Sequence, residues 1–288
     1  MNRRNFVSMG FAVAAGGSAL TLRATPSQEL DRPGRLDSLY FDSHGELLYA
    51  RVFVPDAPGR VVLLLHGFPG AELNLDIAHA LRRAGYCVFV PHYRGSWGMP
   101  GAFSFANVVE DAGAAITYIG SRPFAEKFGT VRSLSLAGHS LGGFAALQNA
   151  ARFASVDSVA SVAGFNFGLW AREARRTPAL NVERDWAESV RPLAGTSASE
   201  LASEALAAPP TWDLTTLVEA LHAKPALLVA ASDDAAAPRA LHHAPLVESL
   251  RRTNARVSEA ILPTGHDFAS ARLQLIDELV TWLRATHR

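Results

Sequence analysis

Gly138-His139-Ser140-Leu141-Gly142 follows the apolar run Ser133 to Ala137 (SLSLA) directly and precedes the helical stretch GFAALQNAA. A serine between glycines at a tight strand-to-helix turn has strained backbone geometry, and the glycines let neighbouring segments approach so that its hydroxyl stands clear of the sheet. The helix that begins behind it also favours negative charge. A serine hydroxyl is a poor nucleophile until a base removes its proton, and that base must be held in one tautomer by an acid. Two more residues are therefore expected downstream, at strand ends. The run Ala226 to Ala231 (ALLVAA) leads into Ser232-Asp233-Asp234-Ala235-Ala236-Ala237-Pro238, and Val257 to Leu262 leads into Pro263-Thr264-Gly265-His266-Asp267. The chain order is Ser, Asp, His. A G-x-S-x-G pattern arises by chance in about one chain in ten of this length, so its weight comes from its place between a strand and a helix.

The elements that must position these residues alternate. Strand-like runs are expected at Leu47–Val54, Val61–Leu65, Tyr86–Val90, Ser133–Ala137, Val156–Ala163, Ala226–Ala231 and Val257–Leu262. Helical spacing of apolar residues marks Ile77–Ala84, Val108–Gly120, Leu141–Phe153, Leu241–Thr253 and Ala269–Ala285. Alternating strands and helices predict an α/β fold, a doubly wound and mostly parallel sheet with helices on both faces. Residues 165–222 break the alternation. They carry Trp170, Trp186 and Trp212 among helix-like stretches, and Ser197-Ala198-Ser199-Glu200 has the form of a capping box, so a small helical cap is expected there. The Ala/Ser richness from Ala194 to Ala208 leaves a flexible linker as the lesser alternative.

GHSLGG, an aspartate at a strand end with Pro238 four residues after Asp234, and PTGH before the last helix resemble the α/β hydrolase superfamily from about Leu36 to the C-terminus, residues 36–288. That resemblance implies Ser140 as nucleophile, His266 as general base and then acid, and Asp234, in preference to its neighbour Asp233, as the orienting carboxylate. It also implies an oxyanion hole from the backbone N–H groups of Leu141 and of Phe68 in His66-Gly67-Phe68-Pro69-Gly70. His66 is expected to brace that loop. The stretch Tyr93-Arg94-Gly95-Ser96-Trp97-Gly98 resembles a loop of prolyl-oligopeptidase-like and acyl-CoA-thioesterase-like hydrolases, with Trp97, Phe165, Phe167 and Trp170 as substrate contacts. Asp111 is expected to pair with Arg94, Asp267 to be structural, Cys87 to be core, and His242-His243 to lie on a solvated helix face. The implied activity is cleavage of a carboxylic ester through an acyl-enzyme. A peptidase, thioesterase or amidase with the same triad, and a binding protein of the same fold without catalysis, are the alternatives.

Composition narrows the partners. In 288 residues, 49% are hydrophobic and 19% charged, so the chain can bury a sizeable core. Lys plus Arg equals Asp plus Glu at 27 each, giving no net field to attract nucleic acid or anionic lipid. One cysteine excludes an intrachain disulfide or a Cys-rich zinc site. No dinucleotide or phosphate loop is present, so no cofactor or metal is expected, and the expected partner is a small ester or acyl compound. Residues 1–24 (MNRRNFVSMGFAVAAGGSALTLRA) resemble a bacterial twin-arginine signal, with cleavage after Ala19 or Ala24. That predicts an exported, periplasmic or secreted protein with no stable membrane association once the segment is removed.

Overall fold

Val61 to Leu65 is apolar at every position because this strand is buried on both faces. In a computed structural model, which describes residues 34–177, 181–253 and 256–287, Val61, Leu63 and Leu65 belong to one core cluster and Val62 and Leu64 to another on the opposite side of the sheet.

The described elements run β1 (Arg35–Ser43), β2 (Glu46–Val54), β3 (Arg60–Leu65), α1 (Leu75–Arg83), β4 (Cys87–Pro91), α2 (Phe105–Ile119), α3 (Arg122–Phe128), β5 (Ser133–His139), α4 (Leu141–Arg152) and β6 (Ser158–Val162). Then come α5 (Phe167–Ala174), α6 (Val182–Trp186), α7 (Ala198–Leu206), α8 (Val218–Leu221), β7 (Ala226–Ala231), α9 (Arg239–His242), α10 (Ala244–Arg252), β8 (Val257–Leu262) and α11 (Arg272–Thr286). The strands form one eight-stranded sheet in the order β1-β2-β4-β3-β5-β6-β7-β8. Pairing is antiparallel from β1 to β2 and from β2 to β4, and parallel elsewhere. The predicted mostly parallel α/β architecture is what the chain adopts. On one face Ile77 and Leu81 of α1 pack with Leu275, Leu279 and Trp282 of α11. On the other, Val108 and Ala112 of α2, Phe144 and Leu147 of α4, and Leu246 and Leu250 of α10 close the core.

The chain leaves β3 for β4 on one side and returns to β5 on the other. That reversal opens a crevice at the carboxyl ends of β3 and β5, where α/β sheets bind ligands.

Three features were not predicted. β1 alternates buried and exposed positions and turns into β2 through His44 and Gly45, both at positive φ (54° and 87°). This is the two-residue hairpin geometry that needs left-handed backbone. α3 is short, and its start is fixed by Ser121 Oγ accepting from Phe124 N–H. The helix expected at Leu241–Thr253 is two helices, α9 and α10, interrupted at His243, with Pro245 in the first turn of the second.

Between β6 and β7 the described chain is helical, as α5 to α8 with short 3₁₀ turns at Pro210–Trp212 and Leu214–Leu217. Ser197 Oγ caps α7 by accepting from Glu200 N–H, while the Glu200 carboxylate accepts from Ser197 Oγ. Glu204 of α7 accepts from Phe105 N–H and Ala106 N–H at 2.9 and 2.8 Å, which ties α7 to the amino end of α2. Backbone bonds from Ala194 N to Gly95 O and from Phe103 N to Ala194 O join the same segment to the loop after β4. The export segment predicted at residues 1–24 lies outside the described residues. Among the described residues no helix is long and apolar enough to cross a membrane.

Candidate active site

Ser140 stands at the junction of β5 and α4 with φ 55° and ψ −117°. A side chain in that region is strained by about 1–3 kcal/mol and persists only where the surroundings impose it. The flanking glycines are sterically required. A Cβ on Gly138 would fall on the Gly142 carbonyl, and one on Gly142 would fall on the Leu65 carbonyl of β3. Ser140 N–H donates to Val162 O at 2.9 Å, and Ser140 O accepts from Phe165 N–H at 3.2 Å. The turn is therefore clamped by the loop after β6.

Asp234 and His266 come from the ends of β7 and β8. Asp234 Oδ1 accepts from Ala236 N–H and Ala237 N–H at 3.0 and 2.7 Å, and Oδ2 accepts from His266 Nδ1 at 2.8 Å. Burial acts to raise the Asp234 pKa, but the His266 hydrogen bond and the two backbone N–H groups outweigh it and hold the carboxyl below its ordinary value. Donation from Nδ1 leaves His266 Nε2 free to accept a proton. Among the described residues the His266 side chain hydrogen-bonds Asp234 alone. No bond joins it to Ser140 Oγ, a contact that commonly forms only when substrate orders the site. Asp233 instead accepts from Ser232 Oγ and is exposed. Asp267 accepts from Ala269 N–H at a turn, as a structural residue does.

The loop after β3 reaches Ser140 through Gly67, where a Cβ would stand 3.1 Å from Ser140 Cβ. This close approach brings the Phe68 backbone beside the serine. Leu141, at the first position of α4, has an N–H with no partner inside the helix. His66 is fully buried, and its Nδ1 donates to Gly67 O at 2.8 Å. Burial pushes its pKa down to about 3, so it is a neutral brace. Trp97 Nε1 donates to Pro69 O at 2.8 Å, and the residue is 46% exposed. Arg94 binds Asp111 through Nε at 2.6 Å and through its backbone N–H at 2.8 Å, pinning the loop after β4 to α2.

Of the aromatic residues expected to meet substrate, Phe165 and Trp170 are half-buried and continue through Trp186, stacked on Trp170 at 5.7 Å, to Phe68 at 5.6 Å from Trp186. Phe167 is different. It is 3% exposed, with Phe105, Phe144 and Trp212 within 4.6–5.5 Å, so its ring is core and offers no face to a ligand. The pair expected on a solvated face is likewise buried. His242 is 1% exposed and packs against the Phe165 ring at a tilt of 36°, and His243 Nε2 donates to Glu259 Oε1 at 2.9 Å, because the break between α9 and α10 turns both rings inward. Cys87 is buried, and burial pushes its thiol up to about 12.

His139, unremarked in the sequence, donates through Nε2 to His266 O at 2.8 Å, its ring 4.8 Å from that of His266. Burial pushes its pKa down to about 4 and keeps it neutral. The only local signal was its place beside the serine. Among the described residues no three His, Cys, Asp or Glu side chains group as metal ligands would.

Residues 62–278 match the sequence model of the alpha/beta hydrolase family. The chain belongs to that family. Among solved structures, an esterase of Pyrococcus furiosus, Pf2001, superposes with a TM-score of 0.65 at 13% identity, over 88% of this chain and 93% of that one. Est1E of Butyrivibrio proteoclasticus, solved with ferulic acid bound, superposes at 0.66 with 16% identity over 86% and 98%. An acylaminoacyl peptidase of Pyrococcus horikoshii gives 0.63 at 14% identity, covering 87% of this chain but 41% of that longer one. At such identities the likeness is one of fold. No curated protein matches the sequence.

Proposed function

We propose that this protein is a serine hydrolase that cleaves a small carboxylic ester through an acyl-enzyme. The observation that carries the reading is the His266 Nδ1 to Asp234 Oδ2 hydrogen bond, made by two loops that flank a serine held in a strained strand-to-helix turn. In the proposed reaction Ser140 Oγ attacks the ester carbonyl while His266 Nε2 takes the hydroxyl proton. Asp234 stabilises the imidazolium and keeps its ring in place. The tetrahedral oxyanion faces the N–H groups of Phe68 and Leu141, each such donor contributing about 3 kcal/mol. Collapse expels the alcohol, which leaves with the proton from His266. Water then attacks the acyl group, with His266 as base and afterwards acid, and frees the carboxylic acid and Ser140. The half-buried rings of Phe165 and Trp170 supply an apolar wall for the acyl or aryl part of such a substrate.

The test is labelling with a fluorophosphonate probe, followed by turnover of aryl esters, thioesters and peptide amides, with Ser140→Ala as control. Labelling at Ser140 with ester turnover is expected. Amide turnover alone would replace the esterase by a peptidase, and no labelling of the folded protein would overturn the reading.

A further inference from the structure

His242 belongs to none of the steps above, yet it joins the two loops that carry them. It ends α9, the short helix that begins immediately after the turn in which Asp234 accepts from Ala236 and Ala237. Its Nδ1 accepts from Asn166 N–H at 2.9 Å. The residue before, Phe165, donates its own N–H to Ser140 O. The Phe165 ring lies over the imidazole with centroids 4.2 Å apart. A continuous path thus runs behind the site, from the Ser140 carbonyl through Phe165 and Asn166 to His242, and from there through the Asp234 turn to His266.

Two further facts make His242 more than a filler. Because Nδ1 accepts from a backbone N–H, the ring proton sits on Nε2, and that buried atom has no hydrogen-bond partner among the described residues. A leucine or phenylalanine would fill the space without the unpartnered Nε2–H, but it would remove the acceptor that Nδ1 offers to the Asn166 N–H. Asn166 is itself fully buried and needed elsewhere: its side chain caps α5 and donates to Asp213. Among the described residues its backbone N–H has His242 Nδ1 as its one acceptor.

We propose that His242 is a positioning residue of the active site, whose Nδ1 holds the Phe165–Asn166 backbone and thereby sets the Ser140 turn against the Asp234 turn. This inference rests on the hydrolase reading given above. Its role is geometric, so it acts on the approach of Ser140 Oγ to the carbonyl and to His266, where a misplacement near 1 Å lowers the rate by as much as about 100-fold.

The test compares His242→Asn with His242→Gln in the full chain. Asn carries an acceptor one bond from Cγ, where Nδ1 stands, whereas the Gln acceptor lies one bond further out. With a short acetyl aryl ester, His242→Asn should stay within about threefold of wild type. His242→Gln should lose roughly 10- to 100-fold in kcat with KM changed less than about twofold. A merely structural role would lower the melting temperature of both variants and leave kcat of the folded fraction alike. Equal kcat in the two variants, with both melting above the assay temperature, would overturn the proposal. A second measurement needs no variant: ring ¹⁵N shifts of wild-type His242 at pH 7 should show a bare Nδ1, and a protonated Nδ1 would also overturn it. If wild type shows no Ser140-dependent turnover, the hydrolase reading itself falls and takes this inference with it. If wild type turns over and His242→Gln matches it, only the role of His242 falls.

Discussion

Strand β5 holds a serine toward its amino end and is followed by another at its carboxyl end, each with a histidine and an aspartate nearby, and the two ends behave differently. At the carboxyl end are Ser140, His266 and Asp234. Toward the amino end, Ser135 Oγ lies 2.8 Å from Ser158 Oγ, its register partner on β6, and 2.7 Å from His287 Nε2 at the close of α11. Asp157 is close by, but its carboxylate accepts from Leu134 N–H and does not orient His287. Ser135 sits in regular strand, fully buried, with no helix starting behind it and no glycine turn lifting its hydroxyl clear. Residue types are alike at the two ends. What separates a candidate nucleophile from a latch that fastens the C-terminal helix is the strained turn, the helix amino terminus and the orientation of the acid.

That contrast can be broken by substitution. Ser140→Ala should lower kcat by roughly 10⁴- to 10⁶-fold with the fold intact, whereas Ser135→Ala should leave kcat within about twofold. A steady-state ester assay on both proteins decides it, and comparable losses would erase the distinction. Next in size, Asp234→Asn should lower kcat by roughly 10⁴-fold, because the His266 tautomer is then no longer imposed. Asp233→Asn should change it less than about threefold. The reverse order would move the acid to Asp233.

Acid should sharpen the comparison through stability. Burial holds His66 at about 3 and His139 and His242 at about 4, all below the ordinary 6.5. The unfolded chain therefore binds more protons than the folded one below pH 6.5. The stability is complete above that value and is lost as pH falls from 6.5 toward 4. Thermal melts at pH 7.0, 5.5 and 4.5 should show a steadily falling midpoint, and a flat profile would refute the buried neutral histidines. His287→Gln should keep most of the slope, since the three deeply buried rings cluster at the other end of the strands. The smallest effect is at the latch: Ser135→Ala should destabilise the protein by about 1 kcal/mol, read from urea unfolding at pH 7.

Most of the strands were legible because burial on both faces leaves unbroken apolar runs, as at Val61–Leu65 and Ala226–Ala231. β1 escaped because only one face of it is covered and its apolar residues are interleaved with exposed ones. Phe167 and Phe165 are indistinguishable in sequence. Helix α5 carries the first into the core and leaves the second at the mouth of the Ser140 turn. His242 read as a surface residue because its helical spacing was projected across a break that only the packing of α9 against α10 reveals.

By itself the sequence determined the strand-to-helix turn at Ser140, since G-x-S-x-G lies directly between an apolar strand run and a helical stretch and the demand for Gly138 comes from Gly142 and Gly143 next to it, although that for Gly142 comes from β3. It also placed an aspartate pair and a histidine at two later strand ends. Tertiary structure alone decided that His139 supports the His266 backbone and that His242 faces inward beside Phe165, and it set Asp234, which the proline spacing had favoured over Asp233, against His266. Each of these depends on the distance between loops that are remote along the chain, and that distance is fixed by the register and twist of the sheet between them, to which no single stretch of residues has access.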